Sequence, residues 1–328
     1  MTHSRVQPED PTWTAATRVT WPVRSGALPP LADGFSARPE TVPNVNGALG
    51  PGSTVVLAPS PAGGARAGAR PAPTGKTQLA VAAADGLLRS GGIELLVWIT
   101  ATSRASVLAG YVEASVAALG LPPAGDSESV AVRFVQWLAE TGRRWLIVFD
   151  DLTDAAHLDG LWPEGPAGTI LVTTADPAAV PGATHTVIPV GLFSTREALN
   201  YLMGRLTADP DQRLGGIDLI EKLGCDPLAL AQATAVVGSS AQSCRDYQDQ
   251  FIQRRQQLTG QGGGQPPPTA VTWTLCVDRA DELAAGHTAQ FLLLLAALLD
   301  GETGPIQFSS HPRRERRSSV QTDLRSRH

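Results

Sequence analysis

Residues 54–84 constrain this chain most. They read TVVLAPSPAGGARAGARPAPTGKTQLAVAAA. An apolar run opens the stretch, a Gly/Pro-rich segment follows, and Thr74-Gly75-Lys76-Thr77 leads into a helical pattern. A strand, then a glycine loop, then a helix starting at Gly-Lys-Thr is the arrangement that holds nucleotide phosphates. Backbone N–H groups and the helix N-terminus face the anion, the lysine reaches the β- and γ-phosphates, and the threonine hydroxyl sits on Mg²⁺. A Gly-Lys-Thr tripeptide alone says little. The strand over 54–58 and the helix over 78–88 supply the context it requires.

The loop departs from the pattern G-x-x-x-x-G-K-[ST]. Arg70 stands where the first glycine belongs, and Gly68 is two residues too far from Gly75. Pro71 and Pro73 each remove a backbone N–H from the cradle. Sixteen residues, 59–74, separate the strand from Gly75, where a compact loop needs about six. A helix N-terminus after a flexible loop, with no ligand, is the alternative reading of this stretch.

A second stretch adds chemistry. Residues 144–152 read RWLIVFDDL, an apolar strand that runs into Asp150-Asp151. A buried parallel strand ending in a carboxylate delivers it to the C-terminal edge of the sheet, where open α/β folds bind ligands. Asp150 is the candidate to hold Mg²⁺ with Thr77, and Asp151 the candidate to polarise a water. A pair of turn or capping aspartates is the plain alternative. The next strand, 168–174, ends in Thr173 and Thr174, placed to sense a γ-phosphate, although threonine is also simply a good strand residue.

Between and after these stretches the pattern alternates. Strands are expected at 93–99 and 185–190, and helices at 105–119, 127–141 and 155–161. Apolar strand cores between helices imply a parallel, three-layer α/β domain. From residue 192 the pattern is helical: 194–206 with a capping box at Ser194-Thr195 and Glu197, then 211–223, 227–237 and 243–258. Residues 261–268, QGGGQPPP, read as a linker, and 269–299 as helix again. Residues 1–52 carry no sustained period and read as an extended, partly ordered leader. The division expected is a leader at 1–49, an α/β domain at 50–191, a helical domain at 192–258, a linker at 259–268, a further segment at 269–310 and a basic tail at 311–328.

Bulk composition excludes several classes. The net charge is −5, which argues against nucleic acid as the main partner. The last 18 residues hold six arginines, read as a solvated end. Three widely spaced cysteines suggest neither a disulfide framework nor a metal site. The first ten residues are polar, so no signal peptide is read. The most apolar run, FLLLLAALL at 291–299, is too short to span a bilayer. A cytoplasmic protein with no membrane partner is expected.

With these pieces placed, the chain resembles the NB-ARC branch of the STAND nucleotide-switch ATPases over about residues 22–305, and most the actinobacterial members that carry tetratricopeptide repeats. FSARPE (35–40) looks like the family's segment near the adenine, which makes Arg38 a nucleotide-binding candidate. TGKTQLAVAAA looks like its Walker A lysine and helix, with Gly75, Lys76, Thr77 and Gln78 on the nucleotide. LLVWITATSRASVLAGY (95–111) is similar to its second strand and helix, RWLIVFDDL to its Walker B, and LWPEGPAGTILVTTADP (161–177) to its sensor strand. LGCDPLALAQATAVV (223–237) looks like its G-x-P motif, in which Pro227 packs against the base. RDYQDQFIQRRQQL (245–258) and TAVTWTLCVDRA (269–280) look like the helices leading to its winged helix.

The resemblance implies a five-stranded parallel sheet with the P-loop strand central. It also implies ATP or ADP with Mg²⁺ as cofactors, and a protein partner or self-association. Ala175 stands where the family has an arginine for the γ-phosphate, so slow turnover or none is expected. Family members continue past residue 306 through the winged helix into a repeat domain, so this chain reads as a truncated or frameshifted product with an incomplete winged-helix segment. Two functional classes follow: a nucleotide switch, or a relic fold without nucleotide that serves as a protein-binding scaffold. An efficient kinase or hydrolase has the least support, since no acceptor site is visible.

Overall fold

The computed structural model describes residues 19–39, 41–60, 73–120, 125–182, 184–262, 264–284 and 288–299. The expected departures at Gly68, Arg70 and Pro71, and the basic tail, lie outside the described residues. Two compact units are present, Met1–Cys276 and Val277–His328.

The first unit is built on one parallel sheet of six strands: β1 (Val23–Ser25), β2 (Ser53–Pro59), β3 (Leu95–Thr100), β4 (Trp145–Leu152), β5 (Gly168–Thr174) and β6 (Thr186–Val190), in the order β1-β3-β4-β5-β2-β6. All five pairings are parallel. This is a P-loop NTPase fold of the α/β class. Two expectations need correction. The sheet has six strands, not five, because Val23–Ser25 of the leader adds along the free edge of β3, pairing Val23 with Leu95. The P-loop strand β2 is not central but second from an edge, between β5 and β6.

Alternation along the strands builds two cores. Val56, Ile147, Phe149, Ile170 and Val172 face one way, onto α3 (Arg104–Leu119) and α4 (Ser127–Glu140). Val55, Leu57, Leu146, Val148 and Leu171 face the other, onto α2 (Lys76–Arg89), whose Leu79, Ala80, Val81, Ala83 and Ala84 are buried there. Each Val, Leu, Ile or Phe side chain fully buried in this way stabilises by about 1.5–3 kcal/mol relative to exposure. The leader also carries α1 (Thr41–Ala48), which lays Val45 on the second core.

A third core joins α5 (Thr195–Arg205), α6 (Gly216–Leu223), α7 (Pro227–Gly238), α8 (Cys244–Gly262) and the first turns of α9 (Pro268–Leu283). Ser194 and Glu197 close the capping box expected from sequence. The helix expected over 211–223 is broken. Asp209 caps a 3-10 turn at Pro210–Arg213, and Gly215 then takes φ +80 before α6 begins, a conformation only glycine adopts without cost. The stretch expected to be helical over 269–299 holds two helices, α9 and α10 (Thr288–Leu299). Phe291, Leu292 and Leu298 of α10 are more than half exposed. Among the described residues no helix is long and apolar enough to cross a membrane.

Candidate functional site

The start of α2 sets the site. Gly75 is its N-cap, with φ +85 and no side-chain cap on the helix. A Cβ at this position would meet nothing within 4 Å, so the backbone angle, not crowding, calls for glycine. The first N–H groups of α2 are thus left to whatever lies in front of them. Thr74 is buried, and its Oγ1 has no hydrogen-bond partner among the described residues.

The end of β4 meets this helix start. Period-two alternation puts Asp150 on the same face as Leu146 and Val148, which is the α2 side. Thr77 Oγ1 donates to Asp150 Oδ1 at 2.9 Å, and Thr173 Oγ1 donates to the same oxygen at 2.6 Å. The β4–β5 ladder slips just here, between Phe149 and Leu152. Asp151 sits in the slip at φ +56, and its N–H donates to Thr173 Oγ1 at 2.9 Å. A bulge at a strand end re-aims side chains. Here Asp151 turns into the cavity while Asp150 stays beneath α2.

Alternation separates the two threonines as well. Thr173 shares the α2 face with Leu171. Thr174 points the other way and is fully buried, with its hydroxyl donating to Leu152 O at 2.6 Å and accepting from the Asp176 N–H. Thr173 therefore faces the cavity and Thr174 does not.

Burial governs the charges. The Asp150 carboxyl is raised above its usual value, first by desolvation; the hydroxyls of Thr173 and Thr77 and the charge of Lys76 oppose this. The Lys76 ammonium is lowered by desolvation and pulled back up by Asp151 and Asp150. Lys76 is one of two lysines in the chain, with Lys222.

A cavity of about 360 Å³ opens in front of these groups, within the range of small-molecule sites. Thr74, Gly75, Lys76, Thr77, Gln78, Asp151 and Thr173 form its polar wall. Pro227, Leu228 and Ala231 of α7, with Phe193 and Tyr201, form an apolar wall. Ala32, Phe35, Ser36 and Arg38 of the leader close a third side. Two of the candidates that line it also bond within the chain. The Gln78 amide is held by the leader: its Oε1 accepts from Ala32 N at 2.6 Å and its Nε2 donates to Pro30 O at 3.3 Å. Arg38 is 5% exposed and donates to Thr74 O and Gly191 O, both at 2.8 Å.

Sequence reading missed Phe193 and Tyr201 as lining residues, and did not single out Phe35, Leu228 and Ala231 within the motifs FSARPE and LGCDPLALAQATAVV. Ala231 was within reach, because it lies four residues after Pro227 on the same helix face, and Leu228 neighbours Ala231 at a spacing of three. Phe193 and Tyr201 carry no local signal.

The residues fit a phosphate and its cation. An uncapped helix start, a lysine and the unpartnered Thr74 hydroxyl suit an anion. Among the described residues no group of three or more His, Cys, Asp or Glu is gathered. A cation here would take Thr77, Asp150 and phosphate oxygens, which is the manner of Mg²⁺.

No protein-family model matches the chain, and no curated protein does. Several solved structures are similar. A STAND protein with a tetratricopeptide repeat sensor from Pyrococcus horikoshii shares 16% identity over 66% of this chain, at a TM-score of 0.39. The Orc1 protein of Aeropyrum pernix, solved with DNA, shares 15% over 82% of this chain, at 0.40. The Orc2 protein of Aeropyrum pernix, solved with ADPNP and ADP, shares 13% over 80%, at 0.37. The match spans 31% of the Pyrococcus chain, 75% of Orc1 and 72% of Orc2.

Proposed function

We propose that this chain is a regulatory nucleotide switch of the STAND/NB-ARC type, which binds ATP or ADP with Mg²⁺ and hydrolyses it slowly or not at all. One observation carries the reading. A single cavity joins Lys76 and Thr77, at the uncapped start of α2, to Pro227 at the start of α7, with Asp150 bonded to Thr77 beneath. A ligand there touches both the sheet edge and the helical part, so its chemical state can set how the two meet.

In this reading Lys76 and the α2 N-terminus neutralise phosphate charge. Thr77 and Asp150 hold Mg²⁺, Asp151 orients water, Thr173 steadies Asp150, and Pro227 packs on the base. When bound, Mg²⁺ supplies charge neutralisation at the phosphates. Turnover is slow because Ala175 occupies the place of a γ-phosphate arginine and no other arginine is assigned to it. The domain division read from sequence, a cytoplasmic location, and a protein partner or self-association as the output all belong to this proposal.

The test is thermal unfolding of the full chain with and without Mg-ATP or Mg-ADP, beside Lys76→Ala. Ligand at 100 times its dissociation constant adds about 2.7 kcal/mol, a rise of several degrees for a chain this size. The wild type should shift and Lys76→Ala should not. No shift at millimolar nucleotide, with a cooperative transition present, would sink the switch in favour of a nucleotide-free scaffold, the reading that Arg70, Pro71, Pro73 and Ala175 suggest.

A further inference from the structure

Arg38 is a buried cation held by neutral groups. One guanidinium nitrogen donates to Thr74 O, at the base of the phosphate loop. Another donates to Gly191 O, where the chain leaves β6 for the helical part. The guanidinium carbon lies 4.7 Å from the centre of the Phe193 ring. Desolvation lowers its pKa and the charge of Glu197 raises it. Placing a full charge here costs free energy that two carbonyls and a ring only partly offset. A residue kept at such a cost usually fixes geometry, and the planar fork of arginine is suited to bridging two fixed acceptors.

The contacts continue beyond Arg38. Phe193 N donates to Cys225 O at 3.0 Å. Cys225 lies two residues before Pro227, and Asp226 between them caps α7 through the N–H groups of Leu228 and Ala229. The Phe193 ring also lies 5.8 Å from that of Tyr201. An unbroken set of contacts thus runs from the phosphate loop, through Arg38 and the 191–193 junction, to both α7 and α5 on the far wall of the cavity.

We propose that Arg38 is a positioning residue: it latches the phosphate loop at Thr74 to the junction at Gly191 and Phe193, so that loop closure on phosphate and reorientation of the helical wall are one event. The nucleotide reading above supplies the trigger. The latch itself exists without ligand and is testable without it. This role differs from direct contact with the base, because the guanidinium is spent on the protein's own carbonyls.

Hydrogen exchange on the full chain tests it, comparing wild type with Arg38→Met and Arg38→Lys. Without nucleotide, both variants should raise exchange about tenfold at residues 74–77 and at 191–195 together, as expected for losing one or two net hydrogen bonds. The strands β3 and β4 should stay as protected as in wild type. Lysine keeps the charge but has no fork, so a lysine variant that behaves like wild type overturns the latch. Loosening at only one of the two ends overturns it too.

Mg-ADP then separates coupling from contact. In wild type it should protect 74–77, 191–195 and 225–231. In Arg38→Lys it should still protect 74–77 and 225–231, whose Pro227, Leu228 and Ala231 line the cavity, and lose most of the added protection at 191–195. Loss of protection at 74–77 itself makes Arg38 a ligand contact and overturns the proposal. If nucleotide protects nothing in wild type, the nucleotide reading fails, and the ligand-free comparison alone decides the latch. Should both Arg38 variants fail to fold, Phe193→Leu serves instead: it removes the ring but leaves the fork. It must loosen 74–77 as well as 191–195, and loosening confined to 191–195 overturns the latch.

Discussion

The cavity has two unlike walls. The sheet-edge wall is polar and already assembled: Asp150 accepts from Thr77 and Thr173 on one oxygen, and a strand bulge fixes Asp151 beside it. The helical wall is apolar, made of Pro227, Leu228, Ala231, Phe193 and Tyr201. The first can recognise only charge, and the second only shape. Hydrogen bonds hold Asp150 in one geometry, whereas Arg38 links Thr74 to the helical wall at Gly191 and Phe193. A fixed reader of phosphate faces a surface that answers to whatever fills the gap.

The comparison breaks most plainly at Asp150. Asp150→Asn keeps an acceptor for both threonines and removes the charge. Affinity for Mg-ADP should fall roughly 100-fold, about 2.7 kcal/mol, while affinity for ADP in EDTA stays near wild type. Titration calorimetry under both conditions reads this. An equal loss with and without Mg²⁺ would mean that Asp150 braces the loop and does not serve a cation.

The helical wall is tested by shape. Ala231→Trp fills the apolar side and leaves the phosphate side untouched. ADP affinity should drop about tenfold, in line with the 1–3 kcal/mol a pocket gains or loses on modest changes of fit. Binding of inorganic tripolyphosphate should not change. If tripolyphosphate is lost as well, the two walls do not divide the ligand as described.

Much of the polar wall was legible because its signals are local. A strand, Gly75-Lys76-Thr77 and a helix follow one another in sequence, and Asp150 ends an apolar run. Parity along β5 even tells Thr173 from Thr174, since Leu171 and Thr173 share a face; reading the pair as equivalent ignored a signal that was present. The apolar wall was less legible because it is assembled from distant segments. Phe193 and Tyr201 matter through the ring contacts they make, and no periodicity marks these. The leader was read as extended and partly ordered, without a strand, because β1 is three residues long and its pairing with β3 is a tertiary event. Gly215 broke a helix that hydrophobic spacing alone had carried straight through.

The smallest effect concerns Asp226, the helical part's buried carboxylate among the described residues. It caps α7 by accepting from Leu228 N at 2.9 Å and Ala229 N at 3.0 Å. Desolvation raises its pKa above the ordinary 3.8, and the two backbone bonds only partly oppose this. A carboxyl raised in the folded state contributes stability that is full below the unfolded value and is lost as pH rises through the folded value. At neutral pH the charged form therefore weighs against the fold. Asparagine caps about as well as aspartate and has no charge to desolvate. Asp226→Asn should then melt at or slightly above the wild-type temperature at pH 7–8, by less than about 1 kcal/mol, and the gap should close as pH falls toward 4. Asp126 and Asp246 are exposed, shifted downward and common to both proteins, so they cancel in the difference. Melting curves from pH 4 to 8 without nucleotide decide it. A variant less stable at pH 8 and recovering on acidification would mean that the α7 N-terminus favours the charge more than burial opposes it. The helical wall would then share the electrostatic character of the sheet edge, and the contrast between the walls would narrow to shape alone.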